Sequence, residues 1–180
     1  MKFEEYQQKA LSTAQYPSVE GVDLPIYPAL GLLGECGEFA DKVKKAWRNK
    51  TDLDGLGLMR ELGDIMWYAV VAAYHIGCTP SSSAPAHLPV GDRVIRMVRG
   101  AMKMCRLAAQ FTELVCEKWD EPSEWNLADE GRWHLDGLVS CVHALAHELD
   151  YTLAEVMAEN IAKLADRQKR DVIKGEGDNR

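Results

Sequence analysis

The sequence predicts an all-α fold, a helical bundle, and three observations carry that prediction. Every segment with a clear hydrophobic period repeats at three to four residues, the spacing of one helical face. No stretch shows the strict alternation of a half-buried strand. Helix punctuation also falls where such a fold needs it: Pro28 in a first turn, Gly77 just beyond a last turn, and Thr152 three residues before Glu155 as a capping box.

The elements follow in order. Phe3 to Ala14 reads as a short amphipathic helix, and a Pro- and Gly-containing loop runs through Pro25. The helix carrying Pro28 extends to about Arg48, and Asn49 to Gly57 form a polar connection. Leu58 to Ile76 is apolar on most faces, as befits a helix at the centre of a bundle or in an oligomer interface. Thr79 to Pro89 is a Pro/Ser loop and marks the boundary of an insertion. Asp92 to about Lys118 is another amphipathic helix, and Trp119 to Asn126 a loop. From about Asp129 to Leu149, Leu135, Leu138, Val139, Val142, Leu145 and Leu149 share a stripe. The last helix opens at the Thr152 cap and runs to about Lys169, and the tail from Gly175 to Arg180 is too Gly-rich and polar to continue it.

With 180 residues, 47% of them hydrophobic, the chain suits one domain over 1–180, or one domain with a sizeable insertion. A net charge of -7 argues against a nucleic-acid binder, which needs a basic face to displace counterions. It leaves room for a small polyanion, because a bound metal can invert the local field. Five cysteines, without a C-x-x-C pair, suggest reduced thiols in the cytoplasm. The N-terminus MKFEEYQQKA is too polar for a signal peptide. The longest apolar stretch, Ile65 to Ile76, falls short of the roughly 20 residues that span a bilayer, so no membrane partner is expected.

Two acidic motifs carry the chemistry: Glu35-x-x-Glu38 and Glu61-x-x-Asp64. A spacing of three puts each pair on one helical face, and a short connection favours an antiparallel hairpin that brings the pairs together. Leu32, Leu33, Phe39 and Val43 flank the first pair; Leu62, Ile65, Met66 and Trp67 flank the second. Four carboxylates beside apolar stripes would repel by roughly 3 kcal/mol per pair at ~6 Å and an effective dielectric of ~20. A divalent cation relieves that repulsion, and oxygen-only ligation points to Mg²⁺, with Mn²⁺ as a substitute, rather than zinc. The alternative is a set of solvated surface acids helped by Lys42, Lys44 and Lys45, and geometry alone leaves both open.

Beyond the acids, YPALGLLGECGEFADKVKKAWR, ELGDIMWY and ENIAKLADRQKRDVIKGEGDNR resemble, in that order, three blocks of the MazG-like branch of the all-α NTP pyrophosphatases. The resemblance covers about residues 1–78 and 150–180. It implies a MazG-like helical bundle with an inserted helical segment, completed by dimerisation or higher self-association. It further implies Mg²⁺-dependent hydrolysis of (deoxy)nucleoside triphosphates to monophosphate and pyrophosphate. By that resemblance Glu35, Glu38, Glu61 and Asp64 are the metal ligands, with Glu38 a candidate to hold or deprotonate the attacking water. Asn160, Lys163 and Arg167 fit the family's arrangement on the last helix, the two cations four residues apart forming a phosphate clamp. Tyr68, one turn after Asp64, is a candidate for stacking on the base; Lys42 and Lys45 are weaker substrate-binding candidates. Two departures stand out: Gly34 occupies the place of a first adjacent acid, and the insertion is longer than a compact member needs; because ALAHELDYTLAEVM resembles the family's approach to its final helix, the resemblance implies an insertion at about 79–140.

Other signals read as structural. Trp47, Trp67, Cys36, Met97, Met102 and Met104 read as packing or interface residues, and His143 with His147 lack a third ligand for zinc. A di-iron bundle would require Glu-x-x-His pairs, which the sequence lacks. The rival of a different class is a non-catalytic helical module that binds nucleotide or protein on the same fold.

Overall fold

The computed structural model describes residues 1–17, 24–81, 84–120 and 127–171. Over these the chain is all-α, as the periodicity predicts, with six helices: α1 (Phe3–Leu11), α2 (Ile26–Asn49), α3 (Gly55–His75), α4 (Arg93–Asp120), α5 (Leu127–Glu148) and α6 (Leu153–Lys169). Most of the loops expected before Pro25 and after Trp119, and the Gly-rich tail, lie outside the described residues.

Helix ends follow local chemistry. α3 starts three residues before the expected Leu58 because the Asp54 side chain accepts from Gly57 N at 3.0 Å and caps an earlier turn. At its other end Gly77, with φ +74, turns the chain, while Cys78 N donates to Ala73 O and Gly77 N to Tyr74 O. This paired closure satisfies two carbonyls the helix leaves open. The same closure ends α5, with Asp150 at φ 65 in the left-handed position. The Thr152–Glu155 capping box opens α6 as expected.

α2, α3, α5 and α4 form a ring of neighbours, α2 beside α3 and α4, α5 beside the same two. Among the described residues α2 does not touch α5, and α3 does not touch α4, so these are the diagonals of a four-helix core. α1 and α6 pack on the outer side of α3. α3 is therefore covered on nearly every side by its own chain, which accounts for its all-round apolar sequence. The apolar surface that made α3 a candidate oligomer interface is thus covered within one molecule by α1, α2, α5 and α6. None of the helices is long and apolar enough to cross a membrane, among the described residues.

Candidate active site

α2 and α3 form the predicted antiparallel hairpin, and three of the four motif acids meet on it. Glu35, Glu38 and Glu61 each offer a carboxylate oxygen, and these lie within 4.8 Å of one another. Glu61 is only 4% exposed. A carboxylate so buried needs a partner, and Lys42, one turn after Glu38, forms an ion pair with it. Burial raises the Glu61 pKa while the Lys42 contact pulls it down. Glu35 has less relief: burial first, then the charges of Asp64, Glu38 and Glu61, push its pKa up to about 8, and Lys163 offsets them only in part.

Asp64 adjoins this cluster, its charge being the first after burial to raise the Glu35 pKa, and its carboxylate is held by α6. Both of its carboxylate oxygens accept from Lys163 Nζ, and Oδ1 also accepts from Asn160 Nδ2 at 3.1 Å. Asn160 is 2% exposed, and its own Oδ1 accepts from the Tyr6 hydroxyl at 2.8 Å. Tyr6 thereby fixes which end of the amide faces Asp64. The close α3–α6 approach depends on Gly63, where an added Cβ would stand 3.0 Å from Asn160 Cβ.

Beside the acids lies a cavity of about 430 Å³, walled by Glu61 and Asp64 and lined by Lys42, Arg60, Lys163 and Arg167. Arg60 pairs with Glu159 at 3.2 Å across the rim. Arg167 is 8% exposed and makes no ion pair or hydrogen bond among the described residues. A buried guanidinium without a partner on the wall of a polar cavity calls for an anion. No residue of α4 or α5 lines this cavity; α4 packs on α2 and α5 on α3 away from it.

The remaining candidates fall elsewhere. Lys45 pairs with Asp41 on the open surface of α2. Tyr68 lies against Gly31, where an added Cβ would meet its ring at 2.1 Å, and edge-on to Trp67 at 4.8 Å. It follows Asp64 by one turn, close enough for the charges of Glu35 and Asp64 to add to the burial that raises its hydroxyl pKa, and it lies next to Tyr27, which is stacked on Tyr16 at 4.6 Å. Trp67 donates to Ala10 O and Thr13 Oγ1, so it locks α1 to α3. Trp47 is 55% exposed, well away from the cavity lining. Cys36 is wholly buried, and burial pushes its thiol well up, out of the nucleophilic range. Met97 and Met104 are core residues while Met102 is exposed. His143 and His147 gain no third ligand, the three glutamates being the cluster of metal-binding type among the described residues.

Periodicity and spacing reached the four acids and the cations of α6, but they missed Tyr6 and Arg60. Tyr6 reads as part of a short apolar stripe, and its partner is 154 residues away. Arg60 directly precedes Glu61, a position that carried a signal only once the cavity was known.

The donor set is all oxygen, clustered and in part charge-starved, and so fits a hard divalent cation. Glu35, Glu38 and Glu61 would hold it, with Asp64 adjoining.

Comparison with known proteins points to the same segment of the chain. Residues 28–76, which contain all four acids, match the MazG nucleotide pyrophosphohydrolase domain. A 78-residue stretch is 44% identical to the Gene 37 protein of Mycobacterium phage L5, covering 38% of this chain and 66% of that protein. The chain thus spans just under two thirds of that relative's length. No solved structure matches the chain. The hairpin formed by α2 and α3, with the acidic site on it, is MazG-like.

Proposed function

We propose that this protein hydrolyses nucleoside triphosphates to the monophosphate and pyrophosphate, with Mg²⁺ as cofactor and Mn²⁺ able to replace it. The observation that carries the reading is the juxtaposition of three acid oxygens within 4.8 Å and a cavity whose free cation is the buried Arg167. Acids suit a metal and cations suit phosphates, and a triphosphate bound through metal needs both side by side.

In this reading the β- and γ-phosphates enter the cavity between Lys163, Arg167, Arg60 and Lys42. The α-phosphorus then lies at the acidic cluster. A divalent cation, when bound, neutralises the phosphates and makes a bound water more acidic. Glu38 is the exposed member of the cluster, whereas Glu61 is buried and ion-paired, which supports Glu38 as the residue that holds or deprotonates solvent water. The nucleoside extends toward the aromatic end of the hairpin, where Tyr27 offers an open ring face more readily than the packed Tyr68. The thiols are all unpaired, in keeping with a cytoplasmic setting. Self-association belongs to the same reading, through an apolar groove between α2 and α4 that Trp47, Val98 and Met102 line. Sedimentation velocity showing a monomer at micromolar concentration would remove that part.

The test is pyrophosphate release from a panel of unmodified and modified ribo- and deoxynucleoside triphosphates, with and without Mg²⁺. Metal-dependent release that Glu38→Ala or Asp64→Ala abolishes is the expected result. A folded protein that binds Mg²⁺ and nucleotide yet releases no pyrophosphate would be the non-catalytic module instead.

A further inference from the structure

The two lysines nearest the acids are not waiting in the cavity for phosphate. Lys163 spans both oxygens of Asp64, and Lys42 is held by Glu61. Both nonetheless line the cavity, on the side where Arg167 has no partner. The lysines therefore serve as resident counter-ions for the same carboxylates the metal would use.

We propose that Lys42 and Lys163 each alternate between two partners: a site carboxylate while divalent metal is absent, and the polyphosphate in the adjoining cavity once metal holds the carboxylates. The inference rests on the metal and triphosphate reading of the site. Its physical basis is that an ammonium and a metal ion compete for the same oxygen lone pairs, and a displaced ammonium inside a half-buried cavity seeks another anion. Metal and polyphosphate then favour each other's binding, and linkage makes the effect equal in both directions. Without metal the cavity has Arg167 and little else to offer an anion, because Arg60 is shared with Glu159. Neither ligand alone assembles the site, which keeps metal-free polyphosphate from occupying it.

The experiment measures Mn²⁺ alone, by the electron paramagnetic resonance of the unbound ion, on the full chain and on Lys163→Met, Lys42→Met and Lys45→Met. A second titration uses inorganic tripolyphosphate at saturating Mn²⁺. Removing a counter-ion should tighten Mn²⁺ binding roughly tenfold in Lys163→Met and Lys42→Met, an effect of one ion pair's size, while tripolyphosphate binding weakens in both. Lys45→Met, whose lysine pairs with Asp41 outside the cavity, should leave both affinities at wild-type values. Lys163→Arg, which keeps the charge, should stay near wild type for Mn²⁺. Circular dichroism melts establish that each variant is folded, and Lys42, which is the more exposed, serves if Lys163→Met is not. Mn²⁺ affinity unchanged or weakened in both methionine variants, or no Mn²⁺ binding by any of the proteins, overturns the exchange. If the shifts occur but no nucleoside triphosphate is hydrolysed, the exchange stands and the pyrophosphohydrolase reading falls. If pyrophosphate is released but neither variant gains Mn²⁺ affinity, the reverse holds.

Discussion

Tyr6 touches none of the acids, yet its hydroxyl decides how Asp64 is met. By donating to Asn160 Oδ1 it leaves Nδ2 to face the carboxylate. Tyr6→Phe deletes the donor while keeping the ring, so Asn160 loses its preference between two amide orientations, one of which points an oxygen at Asp64. We expect a loss of about 1 kcal/mol of stability, the net worth of one hydrogen bond, read from denaturant midpoints. Pyrophosphate release should fall with it, mainly in kcat. Equal activity and stability in Tyr6→Phe would show that Asn160 is fixed by other contacts. Asp64→Ala and Glu38→Ala should keep the fold, since neither side chain is fully buried, and lower turnover by at least about 100-fold, the scale on which removal of a metal ligand or base acts. Spacing exposed these two acids because a helix repeats; it could not expose Tyr6, since a hydroxyl on an apolar stripe has no signature until its partner is placed.

At the scale of the element, α2 shows how two glycines near the site do opposite things. Gly31 lets the Tyr68 ring lie against the helix, and an added methyl would stand 2.1 to 2.6 Å from ring carbons. Gly31→Ala should therefore destabilise by roughly 1–3 kcal/mol, as overpacking does. Gly34 faces open space, with nothing within 4 Å of an added Cβ. Gly34→Ala should stabilise by roughly 0.5–1 kcal/mol, the helix-propensity difference between the two residues. Thermal melts of the two variants, moving in opposite directions, check the pair. From sequence both glycines look the same; only the packing of α3 against α2 separates them. Element ends were more legible, because the cap at Thr152 and the turn at Gly77 depend on residues adjacent in the chain. The start of α3 was misplaced because Asp54 is one of several polar residues in its loop, and which one caps is decided by where the helix must sit.

For the whole molecule, the acidic cluster ties stability to pH. Glu35 has a folded pKa of about 8 against an ordinary 4.5, so the folded chain holds a proton that the unfolded chain releases above 4.5. That contribution is full below about pH 4.5 and is lost as pH rises through about 8. The raised Glu61 pKa acts in the same direction. Asp41, held at about 2 by Lys44 and Lys45, changes stability only in strong acid, outside this window. In EDTA the melting temperature should fall between about pH 5 and pH 8, Glu35→Gln should remove most of the fall, and Mg²⁺ should flatten it by neutralising the cluster. A metal-free melting temperature that holds steady or rises over that range would show that the acids are better solvated than their burial implies.

The all-α class, the hairpin and its two acidic pairs were legible in the order of the residues, because helical period and capping chemistry are local and a spacing of three residues needs no tertiary knowledge. That order also marked the cations of α6, through their i, i+4 spacing and the resemblance of that segment. Packing of the helices settled that Glu35, Glu38 and Glu61 meet while Asp64 pairs with Lys163 and Asn160. It likewise decided that α4 and α5 cover α2 and α3 from within, and that Tyr6 supports the site from the opposite end of the chain. Each of these is a choice among several available partners. Burial makes that choice, since an acid removed from water must take the nearest cation or amide, and which one is nearest depends on how the helices pack.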